Sequence, residues 1–384
     1  MNRRSFIATT TLTCAATTWF SRFASGDVAS SNSPVSATPN QWPLFRGNPS
    51  ADGVAKSSLP DSLSLKWEYR VAKGAFEASA ALADDRVYIG DLDGNFYALQ
   101  LADGSEIWKQ QPSELGFAAT AGVRRNKLYV GDYDGVFYCL DAADGKILWK
   151  FETEAEINSS VNFYKDFVLF GSQDATLYCL DVRDGTQHWK YTIEDQIRCS
   201  PSIVDDRAFV AGCDAKLHVV DLTHGMSGGD VAIDGPTGAT PAVRGDIVYF
   251  GTESGTFFAV DWKNAKVVWK YEAQGGNGSF RGSAAVTDEH VVVGGRSKQV
   301  YAFAPRDGAL QWSFTTRRRV DSSPVVVGDR VFIGSTDGRL YALALADGKK
   351  LWEFETGGSL SASPAVASGR LVIASDDGVV YCFG

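Results

Sequence analysis

A unit of about forty residues recurs eight times along this chain, with three slots held in register. Lys127 to Trp149 reads KLYVGDYDGVFYCLDAADGKILW, and Arg330 to Trp352 reads RVFIGSTDGRLYALALADGKKLW. A tryptophan slot falls at Trp67, Trp108, Trp149, Trp189, Trp269, Trp312 and Trp352, with Gly229 standing in it in one copy. A glycine ends the second apolar run at Gly90, Gly131, Gly171, Gly251, Gly294 and Gly334, replaced by Ala211 and Ala374 in the other two copies. Eleven residues before it comes Ser79, Thr120, Ser160, Ser200, Thr240, Ser283, Ser323 or Ser363. A unit this short cannot bury its own apolar face and must stack against its neighbours.

Within one unit, short runs of β-formers are separated by turn residues. In the seventh copy they predict strands at Ser323–Val327, Arg330–Gly334, Leu340–Ala344 and Lys350–Glu355. Asp-Gly and Ala-Asp-Gly segments mark the hairpins, because tight turns need positive φ. Four-stranded units repeated radially predict an all-β fold, an eight-bladed propeller. The last copy stops at its third strand, Val379–Phe383, while an orphan fourth strand, Ser64 to Val71, precedes the first copy. The two fragments are expected to pair and close the ring, removing both edges. The tryptophan should fill the gap between blades. The copy bearing Gly229, with its Gly-rich stretch HGMSGGDVAIDGPTG, should be the weakest blade.

The stretches Ala143-Asp144-Gly145 with Trp149 and Phe151, and Ala346-Asp347-Gly348 with Trp352 and Phe354, resemble the pyrroloquinoline-quinone (PQQ) enzyme repeat. The resemblance covers residues 64–384 and implies two branches. Quinoprotein dehydrogenases are longer and carry adjacent cysteines over the quinone, a calcium site of Glu, Asn and Asp, and an aspartate base. BamB-like propellers carry no cofactor and bind protein partners in outer-membrane assembly. No two cysteines are adjacent here and the blades are nearly minimal, so the resemblance implies the BamB-like branch, without cofactor. PQQ with calcium is the alternative.

Asn2-Arg3-Arg4-Ser5-Phe6-Ile7 resembles a twin-arginine export signature, followed by a Thr/Ala-rich segment to Phe20 and small residues at Ala24-Ser25-Gly26. Residues 1–26 are therefore expected to be a signal peptide and the protein periplasmic. A retained anchor is the competing reading, but the apolar run is short and rich in threonine. Cys14 raises a lipoprotein alternative, although Thr11-Leu12-Thr13 before it makes a poor lipobox. Residues 27–40 read as a flexible linker and 41–63 as an extended segment that lies across the ring, with Trp42 and Phe45 buried. A net charge of −9 opposes nucleic acid as a partner.

Two residues before the constant Ser or Thr lies a slot that does not obey the repeat: Glu77, Ala118, Asn158, Arg198, Gly238, Arg281, Asp321 and Ser361. In a propeller it should rim the central channel. Glu77, Asn158, Arg198, Arg281 and Asp321 would form a mixed-charge ring for a peptide or small polar ligand, and a solvated rim without a ligand is the bland alternative. Arg317-Arg318-Arg319, a basic loop in an acidic chain, and Phe280 in a Gly-rich loop are expected to flank it as partner contacts.

Cys139, Cys179 and Cys382 share one third-strand slot and read as small core residues. Cys199 and Cys213 flank a hairpin of the fourth blade and are a candidate disulfide in an oxidising compartment. His188, His218, His224 and His290 show no ligand spacing, so no metal is expected. Asp91-Leu92-Asp93-Gly94 and Asp132-Tyr133-Asp134-Gly135 look like the start of calcium loops but lack the later carboxylate, so acidic hairpin turns are the simpler reading. Together these features point to a non-catalytic envelope scaffold for a protein or peptide, a monomer or part of a complex, with no membrane span after signal removal. A quinone-dependent oxidoreductase and a polysaccharide or small-ligand sensor are the alternatives.

Overall fold

A computed structural model describes residues 35–273 and 278–384, so the signal segment and residues 27–34 of the linker lie outside the described residues. Among the described residues, thirty-two strands form eight four-stranded antiparallel sheets. The first blade comprises Ala81–Ala83, Arg86–Gly90, Phe96–Gln100 and Glu106–Gln110, from the channel outward. The eighth is built from Ala365–Ala367, Arg370–Ser375 and Val379–Phe383, and Leu65–Arg70 completes it as the outer strand. Trp67 faces Cys382 in that pairing, so the ring closes as the repeat predicts.

The repeated residues prove to be parts of one interlocking joint. The second-strand glycines leave holes for an apolar side chain from the loop entering the next blade. A Cβ at Gly131 would lie 2.2 Å from Ile157, and one at Gly171 would lie 2.2 Å from Ile197. Each tryptophan of the outer strand reaches the next blade, as where Trp108 Nε1 donates to Ala142 O at 3.1 Å and Trp312 Nε1 donates to Leu345 O at 2.8 Å. The glycine of the turn between third and fourth strands sits against that same indole. A Cβ at Gly145 would come within 2.7 Å of Trp108, and one at Gly308 within 2.6 Å of Trp269. Tryptophan and turn glycine recur together because each fits the other across a blade junction.

The fourth blade tests this rule. Its outer strand, Met226–Ala232, forms despite the glycines, but carries Gly229 where the indole belongs. At the matching turn of the fifth blade stands Ala265, in a left-handed conformation at φ 49°. With no indole above it, a methyl group is tolerated. Trp262, which directly follows the strand Thr256–Asp261, fills part of the gap and packs edge-to-face on Phe209 at 5.3 Å.

The constant Ser/Thr slot forms a girdle. Thr120 N donates to Ser160 Oγ, Ser160 N to Ser200 Oγ, and the relay continues through Thr240, Ser283, Ser323 and Ser363 to Ser79, at 2.8–3.1 Å. Seven of the eight blades thus have, just ahead of the innermost strand, a backbone donor satisfied by the neighbour's hydroxyl at the most crowded radius of the ring.

The segment that precedes the propeller is bound to every blade. Trp42 and Leu82 exchange backbone hydrogen bonds at 2.7 and 2.9 Å, and Val123 N donates to Pro43 O. Asn162 Nδ2 and Ile203 N both donate to Pro49 O, and Val243 N to Ser50 O. Val286 N donates to Asp52 O, Val326 N to Gly53 O and Gly369 N to Ser57 Oγ. The innermost strands would otherwise present these donors unpaired to the axis. Ala37, inside the stretch read as linker, is also buried. Trp42 is buried, whereas Phe45 is half-buried and faces the channel. At the centre of the strap, Arg46 is 1% exposed and donates from Nη2 to the carbonyls of Ala284, at 3.0 Å, and Pro324. Loss of water pulls its guanidinium down to about 9, partly offset by the Asp52 charge.

Candidate functional site

The strap crosses the axis on the side of the hairpins joining first and second strands, where Gln41 Nε2 donates to Asp84 Oδ1 and Ser368 N donates to Pro39 O. The opposite mouth is framed by the loops entering each blade and by the hairpins joining second and third strands. These two sets are stitched together, as where Leu92 N donates to Ala75 O, Tyr133 N to Gly116 O and Thr336 N to Arg319 O, at 3.0–3.1 Å. A channel of about 150 Å3 opens there. Its walls carry the irregular slot, its waist the Ser/Thr girdle and its floor Phe45.

All eight residues of the slot line this channel: Glu77, Ala118, Asn158, Arg198, Gly238, Arg281, Asp321 and Ser361. Their charges are sorted by sector. On one arc, Arg198 and Arg281 both approach Glu253, at 3.4 and 3.5 Å. On the other, Glu77 accepts from Tyr133 Oη at 2.9 Å, and Ser361 Oγ donates to Asp376 at 2.5 Å. Burial raises the Asp376 carboxyl above its ordinary range; the Ser361 hydroxyl opposes this, and the charges of Glu77 and Asp321 add to it. Asn158 Oδ1 accepts no hydrogen bond from the described residues.

Asp321 does not stand free in the channel. It accepts from Arg296 Nε and Nη2 at 2.7 and 2.9 Å and from Arg319 Nε at 2.9 Å. Arg318 and Arg319 line an adjoining cavity of about 440 Å3 with Arg296 and Lys298. Arg317 is exposed and contributes its backbone N–H to Asp337 Oδ2 at 3.0 Å. Arg296 and Lys298 were not among the expected site residues. Their signal was nevertheless present: Arg296-Ser297-Lys298 occupies the hairpin where other copies carry acidic or neutral turn residues.

Two expectations are corrected. Phe280 is not a partner-facing aromatic but fully buried, in contact with Phe257 and Tyr301. It is the apolar plug of its loop and fills the hole over Gly251, where a Cβ would lie 2.2 Å from it. Cys199 and Cys213 are free thiols. Cys213 lies in the hairpin beyond the second strand, and its Sγ is engaged by Arg198 Nε at 3.1 Å instead of by Cys199.

The acidic turns serve structure. Asp91 Oδ1 accepts from the backbone of Asp93 and Asn95, while Tyr97 Oη donates to Oδ2 at 2.7 Å. Asp132 repeats the arrangement with Asp134, Val136 and Tyr138. Among the described residues no three His, Cys, Asp or Glu side chains converge closely enough to share a metal ion.

No curated protein sequence matches the chain. Among solved structures, BamB from Moraxella catarrhalis superposes with a TM-score of 0.72 at 20% identity, covering 84% of this chain and 99% of that one. Quinohemoprotein alcohol dehydrogenase from Comamonas testosteroni gives 0.75 at 16% identity, covering 91% and 81%. A europium-containing methanol dehydrogenase gives 0.76 at 12%, covering 90% and 98%. At such identities these likenesses establish the fold alone. The sequence profile described as outer membrane protein assembly factor BamB matches residues 93–293 and 296–383. The chain therefore belongs to that family of PQQ-like propellers.

Proposed function

We propose that this protein is a non-catalytic scaffold of the cell envelope that captures a protein or peptide partner at its channel mouth. The observation that carries this reading is the one-sided channel. The strap occupies one end, blade by blade, and leaves a rigid mouth on the other, where Glu77, Asn158, Arg198, Arg281 and Asp321 depart from the repeat. A rigid frame carrying variable polar groups suits recognition, since its donors and acceptors need little ordering on binding. Family membership supports a protein partner, and the twin-arginine-like start supports export to the periplasm.

The same residues do not fit a quinone with calcium. Calcium takes six to eight oxygen ligands. The acidic channel residues Glu77 and Asp321 enter from different blades, and Asp321 is already held by two arginines. The channel, at about 150 Å3, is also smaller than the 300 Å3 or so at the lower end of small-molecule sites. No reaction step is assigned to it.

Cross-linked pull-down from envelope extracts tests the proposal. Wild-type protein should capture a defined partner, and the Arg198→Ala, Arg281→Ala double variant should lose it. Undiminished capture by the double variant would remove the ring from the site. Absence of any specific partner, together with dye reduction on adding quinone, calcium and an alcohol, would replace the scaffold by an oxidoreductase.

A further inference from the structure

The geometry points to a second recognition site beside the channel: a basic pocket between the sixth and seventh blades that takes the carboxylates of an acidic peptide segment. This deepens the scaffold reading and rests on it, by naming the chemistry of the partner.

The pocket encloses about 440 Å3 and is lined by Arg296, Lys298, Arg318, Arg319, Ser279, Thr336 and Ser359. It gathers four cations in a chain whose net charge is −9. Among the described residues, Asp321 is the carboxylate that pairs with them, and it binds two. Its three hydrogen bonds hold the Arg296 and Arg319 guanidiniums in place while leaving other N–H groups of both forks unspent. Lys298 and Arg318 form no ion pair with any described residue and are exposed. The result is a preorganised pair of forks flanked by two unneutralised charges, an arrangement suited to planar, bidentate recognition of carboxylates.

Two of the three hydroxyls that line the pocket, those of Thr336 and Ser359, bear on the ligand class. Thr336 Oγ1 donates to Arg319 O at 3.0 Å, and Ser359 Oγ donates to Thr336 O at 3.3 Å. Both have spent their hydrogens inside the protein and can only accept from a ligand. A peptide bearing Asp or Glu offers N–H donors to these oxygens and carboxylates to the guanidiniums. Inorganic phosphate at neutral pH, or a lipid phosphodiester, supplies the negative oxygens with little or none of the donor complement. Elsewhere the acidic surface repels such a segment, so this pocket would also fix the direction in which a partner arrives.

The test is fluorescence polarisation with a fluorescein-labelled peptide of alternating Glu and Gly. Binding should weaken as salt rises from 50 to 300 mM (about 14 to 6 Å of screening length), and Lys298→Ala with Arg318→Ala should raise Kd by about tenfold or more. The Arg198→Ala, Arg281→Ala variant serves as the comparison and should bind this peptide as wild type does. Neither equimolar inorganic phosphate nor phosphatidylglycerol vesicles should displace it. Peptide binding unchanged by the Lys298, Arg318 substitutions, or displacement by phosphate or vesicles, would overturn the assignment. If the wild-type protein still captures its envelope partner while ignoring the peptide, the pocket assignment fails and the scaffold reading survives.

Discussion

Adding one methyl group at Gly308 should destabilise the propeller far more than removing one at Ala265, although the two positions are equivalent. Gly308 adopts φ +71° under Trp269, and its added Cβ would sit 2.6 Å from Cδ2 and Cε3 of the indole. That ring cannot readily yield. It packs at 6.0 Å on both Phe257 and Tyr249, and its Nε1 donates to Pro305 O at 2.9 Å. The left-handed backbone costs a non-glycine residue about 1–2 kcal/mol, and overpacking adds about 1–3 kcal/mol. Reduced freedom of the unfolded chain returns about 0.4–1 kcal/mol. Gly308→Ala should therefore lose about 1–5 kcal/mol, centred on about 3 kcal/mol, in equilibrium urea unfolding. Ala265 lies at φ 49° with Gly229 in place of an indole, so Ala265→Gly should change stability by less than about 1 kcal/mol. In a Trp269→Ala background, Gly308→Ala should cost at least about 1 kcal/mol less than in wild type, a coupling a double-mutant cycle reads directly. Equal costs at the two turns, or no coupling to Trp269, would refute the joint between tryptophan and turn glycine.

Trp42→Ala should cost about 3–5 kcal/mol and open the strap, seen as new tryptic cleavage after Arg46 in the native protein. Mass-resolved alkylation at pH 8 should label Cys213 first among the propeller cysteines. Burial pushes the Cys139, Cys199 and Cys382 thiols up to about 12, whereas Cys213 is half-buried beside the Arg198 guanidinium. Faster labelling of Cys199 would contradict the packing. Burial also raises the phenols of Tyr97, Tyr129, Tyr138 and Tyr249 above their ordinary range. The folded state therefore holds these protons more tightly than the unfolded chain, so their stabilisation is complete below about pH 10 and declines as pH rises above it. Absorbance at 295 nm should show most tyrosine ionisation coinciding with alkaline unfolding; full ionisation in a still-folded protein would contradict it.

The blades were legible in the sequence because each strand repeats the same local requirement, β-formers bounded by turn residues, and the closing pair because one copy lacks what another has in excess. The channel slot was legible as a position whose neighbours are constant. What escaped was whatever depends on the centre of the ring or on a single junction. The Ser/Thr constancy was visible, but its relay of hydroxyls requires neighbouring strands to meet at the axis. Residues 42–57 have no period, since their partners lie one on each blade. Phe280 looked like a loop aromatic because the Gly-rich stretch before it hid its equivalence to Phe117, Ile157 and Ile197, the plugs of other blades. The Cys199, Cys213 pairing failed because nearness along a hairpin does not fix where a side chain points.

The strap also orders events in time. Residues 42–57 leave the ribosome before any blade exists, yet their hydrogen-bond partners span the chain from Leu82 to Gly369. They cannot all find their places until the last sheet is formed and the circle drawn shut. Such distant contacts make for slow, late consolidation. A stretch made before every blade is thus among the final pieces to settle completely, and its full locking requires every blade to be in place.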